Sequence, residues 1–386
     1  MIEDDPRLQK MYKRRELKES SKKLITKYFK WYYHVTQLTP TQAILEADQE
    51  EEDGIRLRRR KIVTHLEDYE DYVSSTHANT TVKNSMSVIR SFYKENYIEL
   101  PPVQRKPSPE PITITTDDLP SREDIKLALE VSRPRNKAII LLNCSSGMGQ
   151  SEIISLTFKH LQDAVSKYKE LTLNELVDIG ETIEVGPLRW TLKRYKTGSE
   201  YTTFSTPESY EAIIRYIQLY PPENLTDDTP LFRRLRYNDD KPMAERRFGL
   251  IYERINNRLE FGKSKDGRNL FRSHNLRKFC ANQLKIGIGF DNAQFILGHR
   301  IKDNTRGAYL KPDLDELYNL YYENMGRVTI TREVEVHTTT NEEVERMKEE
   351  RAKDRAEMQA MKKEIHKLQK RAVQEDKEKL KEKKGN

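Results

Sequence analysis

Apolar residues in this chain recur mostly at helical spacing, in blocks separated by polar or proline-rich breaks. Leu24, Tyr28, Trp31 and Tyr32 share one helical face, as do Val82, Met86, Ile89 and Tyr93. Residues 8–100 therefore read as helical, with Thr80 or Thr81 capping the second stretch and the acidic run from Glu46 to Asp53 forming a solvated turn. Six of the sixteen prolines then fall between positions 101 and 120, where fixed backbone angles and missing amides interrupt regular structure. That break predicts a helical N-terminal domain over 1–105 and a linker over 106–120.

Beyond the linker, Ser121-Arg122-Glu123-Asp124 has the form of a capping box. The apolar run Ala138 to Leu142 then leads a helix into Ser145-Ser146-Gly147, where a turn presents backbone amides. Trp190 to Tyr195 and Tyr201 to Phe204, rich in aromatics and threonines, predict two strands joined by a loop at Lys196-Thr197-Gly198-Ser199. The domain over 121–330 is thus expected to be α+β, mainly α with a small β-sheet. From Asn341 the composition shifts to Glu, Lys, Arg, Met and Ala, which makes 331–386 a charged tail. A heptad seam holds at Val344 and Met347, fails at Arg351 and Asp354, and resumes at Met358, Met361, Ile365, Leu368 and Ala372. A short coiled coil from Met358 to Ala372 and a solvated helix that pairs with nothing both fit this pattern.

Charged residues make up 34% of the 386 positions and hydrophobic ones 35%, which implies modest cores and much solvated helix. The formal charge of +7 favours a polyanionic partner, and its distribution sharpens that reading. Between Gly262 and Lys311 eleven Lys/Arg stand against three Asp, a net +8 in one window. The two cysteines, Cys144 and Cys280, form no Cys-x-x-Cys pair, which argues against a disulfide framework and a zinc site and fits a reducing compartment. No stretch is long and apolar enough to span a membrane, and MIEDDPRLQK lacks the apolar core of a signal peptide. A soluble, cytoplasmic protein without a membrane partner is expected.

The candidate chemistry lies in the basic window. If Phe271 to Phe279 is helical, His274 and Arg277 at i and i+3 share a face, and both donate, so their ligand should be an anion. Leu297-Gly298-His299 follows after room for another helix and turn, and Tyr309 comes ten residues later, so three segments can converge on one pocket. Breaking a phosphodiester needs a nucleophile, relief of the charge on the pentacoordinate transition state, and a proton for the leaving alkoxide. No Asp, Glu and His stand at metal-ligand spacing, so cations around a tyrosine are the economical arrangement, with no metal or cofactor. A phenol with a pKa near ~10 then needs neighbouring cations or a base to attack at neutral pH.

These motifs resemble the tyrosine recombinase (phage integrase) family, in one of its archaeal branches. The family's His-x-x-Arg is similar to His274 to Arg277, its Leu-Gly-His to Leu297-Gly298-His299, and its Thr-x-x-x-Tyr to Thr305 to Tyr309. The resemblance covers roughly residues 120 to 325, with the preceding helical segment similar to the family's core-binding domain. It implies that Tyr309 forms a 3′-phosphotyrosine, Arg277 and His299 steady the phosphate, Lys196 protonates the leaving 5′-hydroxyl and His274 assists proton transfer. It also implies double-stranded DNA as partner, held between two domains, and a homo-tetramer on that DNA. Lys278, Arg272, Arg300 and Arg306 are the further DNA-binding candidates, and binding is expected to weaken steeply with salt.

One position departs from the family pattern. Its Gly-Leu-Arg-x-Ser-Glu matches Gly147-Met148-Gly149-Gln150-Ser151-Glu152, which puts Gly149 where a catalytic arginine belongs. Three accounts stay open: Gln150 or a backbone amide substitutes, an arginine such as Arg133 or Arg135 enters the site, or cleavage is crippled. Two rival functions accompany the recombinase reading. One is a DNA-binding relative with lost or impaired cleavage, and the other is a type IB topoisomerase-like enzyme that uses the same chemistry on one strand.

Overall fold

Asp5 opens the first helix by accepting from the amides of Arg7 (3.0 Å) and Leu8 (3.2 Å), and its carboxylate also takes the amide and hydroxyl of Thr41. One buried carboxylate thus caps two helix N-termini, where orphan amides and the helix dipole both favour a negative charge. The computed structural model describes residues 1–102, 115, 118–194, 198–235, 240–299 and 313–331. The chain divides into two compact units, Met1–Pro111 and Ile112–Asn386.

The described part of the first unit holds five α-helices: α1 (Pro6–Arg14), α2 (Glu19–Thr36), α3 (Pro40–Glu52), α4 (Lys61–Thr76) and α5 (Asn79–Glu95). Its core is aromatic, with Phe29, Tyr32, Tyr69, Phe92 and Tyr93 buried and the Tyr32 and Tyr93 hydroxyls 2.8 Å apart. Pairing the two hydroxyls removes the penalty of burying either alone. The helical expectation holds here, with three local corrections. Leu24 is 48% exposed, although Tyr28 and Tyr32 of the same predicted face are buried. The helix α5 begins at Asn79 behind Ala78, so Thr80 and Thr81 lie inside its first turn. The acidic run is helix rather than turn, because its carboxylates have partners. Glu50 accepts from the Lys61 amide, Glu51 from Arg60, and Glu46 from Lys61 Nζ.

The described part of the second unit is mainly helical around one two-stranded antiparallel sheet. It runs α6 (Arg122–Glu130), α7 (Pro134–Ser146), α8 (Gln150–Ser155), α9 (Phe158–Val165), α10 (Leu173–Ile179), β1 (Leu188–Lys193) and β2 (Glu200–Ser205). Then come α11 (Pro207–Leu219), α12 (Glu245–Arg258), α13 (Ser273–Ile288), α14 (Phe290–Ile296) and α15 (Leu314–Asn324). The capping box at Ser121 is present, closed by Asp124. In the sheet Trp190 pairs with Thr203 and Leu192 with Tyr201, so Trp190, Leu192, Tyr201 and Thr203 share one face by the two-residue period. No helix among the described residues is long and apolar enough to cross a membrane.

Helix α7 is the central element, with every residue from Ala138 to Ser146 buried. Its serines satisfy their hydroxyls on the preceding turn: Ser145 donates to the Leu141 carbonyl and Ser146 to that of Leu142. Gly147 ends the helix at φ +64°, a left-handed cap that glycine adopts without strain. Asn143 pins the turn that follows. Its amide donates to the Met148 carbonyl (2.8 Å), and its oxygen accepts from the Tyr252 hydroxyl (3.0 Å). Asn143→Leu keeps the volume but strands both partners in the core, at about 2–4 kcal/mol. The melting temperature of Asn143→Leu should fall accordingly, and an unchanged melt would remove Asn143 from this role.

Candidate functional site

Arg277, on the second turn of α13, reaches two other segments with its guanidinium. One Nη donates to the Gly147 carbonyl. The other donates to the Leu297 carbonyl (2.7 Å) and to His299 Nε2 (3.1 Å). The two motifs therefore meet in space, at the turn that follows α7. A guanidinium only donates, so Nε2 of His299 must accept. The ring proton then sits on Nδ1, which donates to Gln294 Oε1 at 2.6 Å. Burial, reinforced by Arg277 and Arg194, pushes the His299 pKa down to about 4, so the ring is neutral at pH 7.

Two glycines permit this convergence. A Cβ on Gly147 would collide with Leu297 Cδ2 and stand 3.3 Å from Cys280 Sγ. Gly298, at φ +65°, lies flat against the Tyr201 ring, and a Cβ there would sit 2.6 Å from the ring carbons. The α7 turn, the Leu-Gly-His segment and the hairpin thus touch where only glycine fits. A cavity of about 310 Å³ adjoins the last two, lined in part by Ser199, Tyr201, Gly298, His299 and Leu317. The Tyr201 hydroxyl is buried without a hydrogen bond of good geometry, and burial pushes its phenol up, aided by Glu152 and opposed by Arg277 and Arg194.

The turn after α7 does not present its amides, contrary to expectation. The Met148 amide donates to Ser146 Oγ (3.1 Å) and the Gly149 amide to Glu152 (2.5 Å). What the turn offers is the Gly147 carbonyl, which holds Arg277. Gly149 is the N-cap of α8, and Glu152 folds back on it so closely that a Cβ at Gly149 would press on the carboxylate oxygen. Glu152 also matches the last residue of the Gly-Leu-Arg-x-Ser-Glu pattern, so the departure from that pattern lies in Gly149 itself.

The substitutes considered for that charge point elsewhere. Gln150 donates to the Glu245 carbonyl on the N-terminal side of α12. Arg133 and Arg135 lie at the N-terminus of α7, about 21 and about 18 Å of helix from Gly147 at 1.5 Å per residue. Arg135 is also tied to the Arg233 carbonyl at 2.9 Å. Sequence reasoning missed Arg194, Tyr201 and Gln294, and named Glu152 in the motif without its capping role. Glu152 was legible as the third residue after a helix cap, and Arg194 by strand alternation from Trp190 and Leu192.

The remaining candidates are placed unevenly. His274 lies one turn before Arg277 on α13, on an exposed residue whose ring is still partly shielded. That shielding lowers its pKa, followed by Lys278, Arg272, Arg277 and Arg268. Lys278 is half-buried beside Arg277 on the same helix. Arg272, the N-cap of α13, is held by both oxygens of Asp266 at 3.2 and 2.6 Å, so its charge already organises the preceding loop. Tyr309, Lys196, Arg300, Arg306 and the tail from Asn341 lie outside the described residues. Among the described residues, no group of three or more His, Cys, Asp or Glu is placed to hold a metal ion.

The histidines make stability depend on pH. Unfolded histidine titrates near ~6.5, whereas burial lowers His299 to about 4 and also lowers His274 and His160. Between those values the unfolded chain takes up protons that the fold refuses. The contribution is therefore complete above about pH 6.5 and is lost as pH falls toward 4. Melting temperature should drop by roughly 2–4 °C from pH 7 to 5, and His299→Gln should flatten part of that slope. A melt that rises or stays level on acidification contradicts this electrostatic assignment.

No protein-family model and no curated protein matches the chain. Among solved structures it is similar to the XerA recombinase at 16% identity, with a TM-score of 0.34 over 82% of this chain and 95% of that one. It is similar to the XerH site-specific recombinase bound to difH substrate at 17% identity, with a TM-score of 0.43 over 66% and 69%. A lambda integrase (75–356) dimer bound to a COC′ core site aligns at 14% identity, with a TM-score of 0.41 over 80% and 98%. These likenesses do not single out an archaeal branch.

Proposed function

We propose that this protein is a site-specific tyrosine recombinase, which cleaves and rejoins DNA strands with Tyr309 as nucleophile. The observation that carries the reading is the bond from Arg277 to His299, which joins the two anion-binding motifs over the Gly147 carbonyl. In the forward step Tyr309 Oη attacks phosphorus and forms a 3′-phosphotyrosine while the bond to the 5′ oxygen breaks. The phenol proton leaves with the aid of His274, and Lys196 supplies a proton to the departing 5′-hydroxyl. Reversal by a 5′-hydroxyl of another strand rejoins the DNA without loss of bond energy. Arg277 neutralises the transition-state charge, and His299, accepting through Nε2, steadies the phosphate by fixing Arg277 rather than by donating to it.

Double-stranded DNA is the partner in this reading, gripped by both units and assembled with a homo-tetramer of the chain. A second reading draws on Gly149. A glycine where the family carries a catalytic arginine suits a DNA-binding relative that no longer cleaves. Detergent quenching of the protein with a diverse library of nicked duplexes separates the two, since a nick prevents religation and lets the ester accumulate. A DNA-linked protein band that disappears in Tyr309→Phe is the expected result. Salt-sensitive DNA binding with no band in the unaltered protein favours the non-cleaving relative.

A further inference from the structure

Arg194 follows the last residue of β1, and its amide donates to the Ser199 carbonyl, so the hairpin pairing continues through it. By strand alternation Arg194 lies on the face of Trp190 and Leu192, the face that also carries Tyr201. Tyr201 rests on Gly298, next to His299. The half-buried Arg194 is thus delivered to the side of the Leu-Gly-His segment that faces the hairpin, while Arg277 holds His299 through Nε2. Both cations weigh on the same two groups, the His299 ring and the Tyr201 phenol. Among the described residues neither Arg194 nor Arg277 forms an ion pair with a carboxylate.

Two guanidiniums that both act on one half-buried histidine, neither of them ion-paired with a described carboxylate, repel each other and depress that histidine. An anion near both cations relieves such an arrangement, and a cavity of about 310 Å³ with room for a phosphate group is lined by Tyr201 and His299, the two residues on which both cations act. We propose that Arg194 is the second guanidinium of the phosphate site, taking over from the hairpin the charge that Gly149 lacks. This rests on the recombinase reading for the identity of the phosphate as a DNA phosphodiester, though the anion site itself does not depend on cleavage.

Two measurements on the full-length protein test it. In the first, the His299 ring is followed by NMR while inorganic phosphate is added. Bound phosphate should raise the His299 titration midpoint in the unaltered protein, and Arg194→Gln should reduce its affinity about tenfold or more. No phosphate-dependent change, or the same affinity in Arg194→Gln, overturns the site. In the second, adduct formation is timed on nicked duplexes carrying either a phosphate or an uncharged methylphosphonate at the scissile position. Arg194→Gln should slow the phosphate reaction by about 10²-fold, with much less loss on the methylphosphonate, whose transition state carries one negative charge fewer. An equal loss on both substrates would reduce Arg194 to a structural residue. If the unaltered protein forms no adduct yet phosphate binding depends on Arg194, the anion site stands and the cleavage reading fails.

Discussion

Arg277→Ala is expected to reduce covalent adduct formation by on the order of 10³-fold or more, the largest effect of any single change among the described residues. Two losses combine. The transition state loses a fixed guanidinium, and the Gly147 carbonyl, the Leu297 carbonyl and His299 Nε2 lose the donor that draws their segments together. Gly147 and Leu297 are buried, so their carbonyls are not simply handed to water, and each adds about 1–3 kcal/mol of destabilisation. Arg277→Lys keeps the charge but not the fork that spans two carbonyls and an imidazole. It should fold better than the alanine variant and still lose most of the rate. Equal adduct rates in Arg277→Lys and the unaltered protein would show that charge alone suffices and that the observed geometry is not the working one.

Gly149→Arg is expected to increase the adduct rate by about 10- to 10³-fold, the range spanned by gaining one transition-state donor. The backbone tolerates the change, since Gly149 has φ −80° and ψ 172°, which any residue adopts. A Cβ there meets only the Glu152 carboxylate, the far end of a flexible side chain that can swing aside. If Arg194 already supplies part of the missing charge, the two positions are not additive, and the gain from Gly149→Arg should be larger in an Arg194→Gln background. A Gly149→Arg protein that folds, binds DNA and forms adduct no faster shows that the absent arginine is not what limits the reaction.

The hairpin was legible because alternating aromatics and threonines report a pleated surface directly, and β1 and β2 fall within two residues of the expected strands. The junction of Arg277 with His299 was legible only as spacing, since both residues belong to short motifs separated by one helix and a turn. The acidic run was misread because local charge says nothing about the Lys61 amide or Arg60, which come from outside it and stabilise it as helix. Arg133 and Arg135 were admissible substitutes for Gly149 in sequence and fail on distance, which needed the uninterrupted length of α7. The turn at Gly147 was placed correctly but assigned the wrong polarity. Which of its groups faces the site depends on Ser146 and Glu152 capping the amides, a choice that a sequence leaves to packing.

The most direct measurement identifies the residue that carries the DNA. A nicked-duplex adduct, digested with nuclease and trypsin, leaves a nucleotide on one peptide. Lys311 precedes a proline and resists trypsin, so Tyr309 lies in the peptide spanning 307–327 together with Tyr318, Tyr321 and Tyr322. Fragmentation should place the nucleotide on Tyr309 alone. A nucleotide on Tyr201, whose phenol is acted on by Arg277 and Arg194, or on any of the α15 tyrosines would overturn the assignment of Tyr309 as nucleophile.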